Sequence, residues 1–170
     1  MARFDYKMVL PSVDVLTDDW IVDSGTTTQA LAGEPTKGDD AAAASPWTGE
    51  VGIMADGDGT TSQRFTGVAK SDSSETSSAA GIVTTYRPMP GLVFSGKALT
   101  STTADTAAEV NALRGKRVVF DLTGTAWTID AAAADAVANC VVIVGGEYQT
   151  QTLHWTYAMK GTWLGFAISA

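Results

Sequence analysis

Glycine, proline and small polar residues cut this chain into short apolar-rich runs, each too short for a sustained 3.6-residue helical pattern. That punctuation constrains the fold more than any other feature. The runs are "DWIVDSG" (19–25), "EVGIMA" (50–55), "QRFTGVAK" (63–70), "GIVTTYR" (81–87), "GLVFSGKAL" (91–99), "KRVVFDL" (116–122), "TAWTID" (125–130), "CVVIVGG" (140–146), "TLHWTYAMK" (152–160) and "TWLGFAIS" (162–169). Each is strand-sized and bounded by turn residues. In the first, Trp20 and Val22 share one face and Ile21 takes the other. An all-β fold follows, a barrel or sandwich of short antiparallel strands.

One helix is expected, over about 104–114. Thr106 and Glu109 have capping-box spacing, Val110 and Leu113 share a face, and Gly115 suits the stop. The run "AAAADAVAN" (131–139) reads as a short helix or an ordered loop, because its amphipathic pattern is weak. Residues 32–49 mix Gly, Pro, Asp and Ala without a period, so a long surface connection is expected there. The segment "SDSSETSSAAG" (71–81) is low in complexity and hydrophilic, and reads as a mobile loop. Residues 1–16 form an extended N-terminal arm. Residues 17–170 form a single β-rich domain with possible lobes at 17–99 and 115–170. No tandem repeat is visible.

Charge narrows the function. Lys and Arg number 11 against 19 Asp and Glu, a net charge of -8, which opposes binding to nucleic acid or anionic lipid. The most apolar tract, 131–145, is broken by Asp135 and Asn139 and falls short of the ~20 residues a membrane helix needs. The N-terminus has no apolar run of signal-peptide length. With one cysteine, Cys140, no disulfide can form within the chain, and its setting in "NCVVIVGG" makes it a small core side chain.

Catalytic chemistry is sparse. The one histidine, His154, shares a strand face with Thr156 and Ala158, opposite Trp155, Tyr157 and Met159. Ser62, Ser71 and Ser95 are conceivable partners, but none stands in a G-x-S-x-G turn. One Cys and one His cannot supply a usual zinc ligand set. The carboxylates Asp18, Asp19, Asp39, Asp40, Asp56, Asp58, Asp130 and Asp135 read as solvated turn acids. In "ADGDGTTSQRFTGVAK" (55–70), Asp56 and Asp58 invite a calcium reading and the glycines a phosphate reading. Counted from Asp56, however, the sixth residue is Thr61 and the twelfth Gly67, where a calcium loop needs Gly and Glu. A phosphate loop would continue into G-K-[ST], which is absent here. The segment is therefore a turn feeding a strand, with Gly67 leaving room for a bulge or a close backbone approach. No catalytic residue, cofactor or metal is expected.

Residues 57–98 as a unit resemble the decoration, or cement, proteins of tailed-bacteriophage capsids. The likeness lies in an F-x-G-V-A strand (Phe65, Gly67, Val68, Ala69), a Ser/Thr/Asp-rich loop at 71–80, and a G-x-V strand (Gly81, Val83) turning into another strand. The later "VVFDLTGTAWTIDAAAADAVANCVVIVGG" is similar to phage virion-protein sequence as well. The resemblance implies a non-enzymatic virion protein, made in the host cytoplasm. It would sit on the outer capsid surface between capsomers, bind the major capsid protein, and be oligomeric, with a homotrimer suited to threefold positions. Its partner-binding candidates are Phe4, Tyr6, Met8 and Leu10, which alternate along the arm, and Trp47 in "SPWTG". A carbohydrate- or receptor-binding virion domain, with Trp47 and Tyr148 as stacking platforms, is the alternative. A small hydrolase centred on His154 is a third reading.

Overall fold

The computed structural model describes residues 7–10, 16–22, 29–38, 50–59, 65–88, 91–139, 141–157, 162–163 and 166–167. The chain is mostly strand with one short helix, as the short, turn-bounded runs predict. It divides into two compact units, each assembled from three separate segments rather than from contiguous lobes at 17–99 and 115–170. Unit 1 comprises 1–12, 55–62 and 89–160; unit 2 comprises 13–54, 63–88 and 161–170.

Unit 1 is a five-stranded barrel. Its strands are β7 (Val93–Ala98), β8 (Arg117–Thr123), β9 (Ala126–Asp130), β10 (Val141–Glu147) and β11 (Thr152–Tyr157). The antiparallel pairs run β7–β11, β11–β10, β10–β8 and β8–β9. Strand β9 then returns to β7 in parallel, through Lys97↔Thr128 and Ala98↔Ile129, and closes the sheet. Alternation fills the barrel: in β11, Leu153, Trp155 and Tyr157 are buried while Thr152, His154 and Thr156 are half-buried. At its centre Trp155 stacks on Phe94 (centroids 4.9 Å apart, 27° between planes) and meets Phe120 edge-on at 5.0 Å. Phe120 in turn meets Trp127 edge-on at 6.4 Å.

Helix α1 (Ala107–Leu113) connects β7 to β8, and both bonds of the expected capping box form between Thr106 and Glu109. Its buried side chains are Val110 and Leu113, and Gly115 follows at φ 81. The run 131–139 is an ordered loop: the Asp130 side chain accepts from the backbone amides of Ala132 and Ala133, and the Asn139 side-chain Nδ2 donates to the Ala134 carbonyl at 2.9 Å.

Part of the expected arm belongs to this unit. Strand β1 (Lys7–Leu10) pairs antiparallel with β7 through Lys7↔Ser95, Met8↔Phe94 and Leu10↔Val93, with an irregularity before Leu10. Because β11 occupies one edge of β7, β1 and β9 share the other. β1 covers Val93–Ser95 and β9 covers Lys97–Ala98.

Unit 2 is built on β2 (Thr17–Val22), β3 (Pro35–Gly38), β4 (Val51–Ile53), β5 (Phe65–Ala69) and β6 (Gly81–Tyr86), in the order β2-β6-β5-β3-β4. A parallel bridge, Ile21↔Glu50, returns the β4 end to β2. Val22, Ala30, Val51, Ala69 and Val83 form its core, with Trp20 and Ile53 packed against them. The Trp20 indole also donates to Thr85 Oγ1 at 3.0 Å. Two short strands, β12 (Thr162–Trp163) and β13 (Phe166–Ala167), pair with each other within the segment read as one strand at 162–169.

Two sequence expectations change in unit 2. Residues 35–38, expected within a surface connection, are an inner strand between β5 and β4, and Thr36 is fully buried. Polar "PTKG" carries no apolar alternation, so the buried surface is satisfied by hydrogen bonds instead: Thr36 Oγ1 donates to the Gly67 carbonyl at 3.0 Å and shares a bond with Thr66 Oγ1 at 2.8 Å. Pro35 opens the strand, where its missing N–H is tolerated. Ladder bonds to β5 pass through Gly33 and Glu34, and the Pro35 carbonyl accepts from Met54 on the other side.

The segment 71–80 is also tied down. The amide and hydroxyl of Ser73 both donate to the Ala30 carbonyl, Asp72 accepts from the Ala32 amide, Ser74 makes three bonds with Ile82, and Thr76 bridges Ala79. Ser and Asp side chains that bond backbone of the distant segment at Ala30 and Ala32 give this loop its order without apolar burial.

Candidate functional site

The loop Ala55–Gly59 is structural. Asp58, expected to be a solvated turn acid, is instead buried, because its Oδ2 accepts from the Ala55 amide at 2.6 Å and closes the turn. The Gly57 amide donates to the Phe120 carbonyl at 3.0 Å, the Phe120 amide to the Asp58 carbonyl at 2.8 Å, and the Leu122 amide to Asp56 Oδ1 at 3.2 Å. The loop thus runs beside β8, with both aspartates bonded to backbone.

The remaining acids behave similarly. Asp18 receives two bonds from the Arg87 guanidinium, Nε at 2.7 Å and Nη2 to the second oxygen. That pairing holds the Arg87 pKa above its ordinary value. Asp19 accepts from Thr84 Oγ1 at 2.7 Å, and Asp135 accepts from the Arg117 amide at 3.2 Å. Asp39 and Asp40 lie outside the described residues. Among the described residues no group of three or more His, Cys, Asp or Glu side chains is placed to hold a metal ion. Among them, too, no helix is long and apolar enough to cross a membrane.

His154 stands directly opposite Ser95 on β7 and Gly145 on β10. Of the three serines considered for it, Ser95 is therefore adjacent, Ser71 belongs to unit 2, and Ser62 lies outside the described residues, as does Cys140. Neither register neighbour of His154 is an acid, so the strand pairing does not itself assemble a Ser-His-acid triad.

Of the partner-binding candidates, Met8 and Leu10 fall in β1, against Phe94 and Val93 of β7. Phe4, Tyr6 and Trp47 lie outside the described residues. Tyr148 is 39% exposed on a short turn at Tyr148–Thr150. The other large exposed apolar groups include Ile21 and Ile82, which face each other across β2 and β6 on the outer surface of unit 2.

Two buried acids escaped the sequence reading. Glu34 is fully buried and its Oε2 accepts from the Leu31 amide at 2.9 Å, locking the turn into β3. Glu75, in the segment 71–80, is buried with neither carboxylate oxygen hydrogen-bonded. A surface-like Ser/Thr-rich context conceals both. An unpaired buried carboxylate costs stability. Glu75→Gln, which keeps the shape and removes the charge, is therefore expected to raise the stability to urea by about 1–3 kcal/mol. A midpoint that falls in that variant would show that the carboxylate is compensated in solution.

No family model, curated protein or solved structure matches the chain in the comparisons made.

Proposed function

We propose that the protein is a structural virion protein that binds the outer surface of a phage capsid between capsomers and stabilises the head. The observation that carries the reading is the decoration-protein layout of residues 57–98. Its F-x-G-V-A run is strand β5, its Ser/Thr/Asp-rich loop folds back on Ala30 and Ile82, and its G-x-V run opens β6. The acidic, charge-poor composition suits an outer surface and not a DNA-filled interior. The partner is the major capsid protein, and binding adds interfacial area across its subunits. A homotrimer at threefold positions is part of the proposal.

Cosedimentation of the purified protein with its own capsids, stripped and intact, tests the reading. Saturable binding to stripped particles, with a raised rupture temperature, is expected. Absence of particle association would overturn it, and monomers both free and on the capsid would overturn the trimer. The exposed Tyr148 ring favours a second reading, a virion carbohydrate- or receptor-binding domain. Glycan binding lost in Tyr148→Ala, without capsid association, would establish that reading in its place.

A further inference from the structure

The two units share one topology. Taking the five strands of each in chain order as first to fifth, both pair first–fifth, fifth–fourth, fourth–second and second–third antiparallel, then third back to first in parallel. The first strands are β2 in unit 2 and β7 in unit 1. The closing contact falls at Ile21 in β2 and at Lys97 in β7, so Thr17–Asp19 corresponds to Val93–Ser95.

In β7 that stretch carries β1 on its outer edge. In β2, no strand among the described residues pairs with the outer edge of Thr17–Asp19. Burial agrees with this difference. Val93, Phe94 and Ser95 are half-buried, buried and half-buried, whereas Thr17, Asp18 and Asp19 are exposed, half-buried and exposed. The same two faces alternate, each one step more open in β2.

We infer that the outer edge of Thr17–Asp19 is a strand-docking seat, and that its occupant is Lys7–Leu10 of a second copy of this chain. Transferring the observed pairing sets Lys7 opposite Asp19, Met8 opposite Asp18 and Leu10 opposite Thr17. Lys7 would then stand at the register position opposite the exposed acid Asp19, where in its own chain that position is taken by Ser95, and opposite charges directly across an antiparallel pair are favourable. Strand addition gives the occupant its backbone bonds. The donor is suited to exchange, being a four-residue strand whose register on β7 is already interrupted. A copy that gives its strand to the next leaves its own β7 edge open, so the contact is head-to-tail and its extent rises with concentration. This inference concerns the purified chain alone and stands apart from the capsid reading.

Mixed cross-linking tests it. One preparation carries Leu10→Cys and the other Thr17→Cys, both in a Cys140→Ser background, and the two are mixed under mild oxidation. Disulfide-linked dimers are expected in the mixture well above the level in either preparation alone. Adding Asp19→Lys to the acceptor should reduce the yield by about two- to fivefold at fixed subsaturating concentration. Lys7→Glu in the donor should restore it, a rescue that loss of folding would not give. No mixed dimer up to millimolar protein would overturn the inference. So would a chain carrying both Leu10→Cys and Thr17→Cys that closes its disulfide internally at high dilution and forms no dimer when concentrated, since the seat would then belong to the chain's own arm.

Discussion

Replacing Trp155 by alanine is expected to remove about 3–5 kcal/mol of stability, a large part of the roughly 5–15 kcal/mol typical of a folded protein. Trp155 is fully buried in β11, between the stacked ring of Phe94 on β7 and the edge of Phe120 on β8. Its loss would open a cavity where three strands of one closed barrel meet, and a closed sheet cannot collapse around a void without breaking its ladders. Urea unfolding followed by far-UV circular dichroism measures the effect. Trp155→Phe, which retains a ring against Phe94, should cost clearly less. A loss below about 1 kcal/mol in the alanine variant would mean that the barrel is not packed around this residue.

The same residues show why much of unit 1 was legible in sequence. Strand β11 alternates in "TLHWTYAMK" because one of its faces meets an aromatic interior and the other does not, whereas runs such as "CVVIVGG" show through their length and flanking turn residues. The helix was legible from Thr106 and Glu109, whose bonds are local and depend on spacing alone. What failed to show was structure held by polar contacts between distant segments. Strand β3 has Thr36 as its buried centre, bonded to Thr66 and Gly67 thirty residues away, and no local pattern announces that. Order in 71–80 depends likewise on the Ala30 carbonyl, and the buried Glu75 has no sequence signature.

The shared barrel topology was hidden for a different reason. Both fifth strands contain a Thr–Tyr pair, Thr85–Tyr86 and Thr156–Tyr157, which suggests an alignment. That alignment inverts the faces: Thr85 is buried and Tyr86 half-buried, while Thr156 is half-buried and Tyr157 buried. A one-residue shift exchanges inside for outside in a strand, so the likeness lives in the hydrogen-bonded order and not in matched residues. For the candidate site the consequence is direct. Arm residues Met8 and Leu10 could be nominated from their alternation, but their seat on β7, and the corresponding open edge at Thr17–Asp19, become visible only once both sheets are traced.

Gly67→Ala is expected to cost about 2–4 kcal/mol, because it combines backbone strain with a collision that cannot be relieved locally. Gly67 lies in β5 at φ 143, a conformation L-residues rarely adopt. An added Cβ would sit 2.3 Å from the Tyr86 carbonyl oxygen and 2.9 Å from Thr85 Oγ1, both in the neighbouring strand β6. Relief requires β5 to move away from β6, breaking the pairs Val68↔Tyr86 and Ala69↔Thr85. Gly124→Ala provides a control free of collision: at φ 65 it lies in the left-handed region that L-residues enter at modest cost, and no atom lies within 4 Å of the added carbon. That variant should lose only about 1 kcal/mol. Paired urea titrations set the combined strain and collision at Gly67 against the modest strain at Gly124, and equal losses would show that β5 and β6 approach less closely than their register requires.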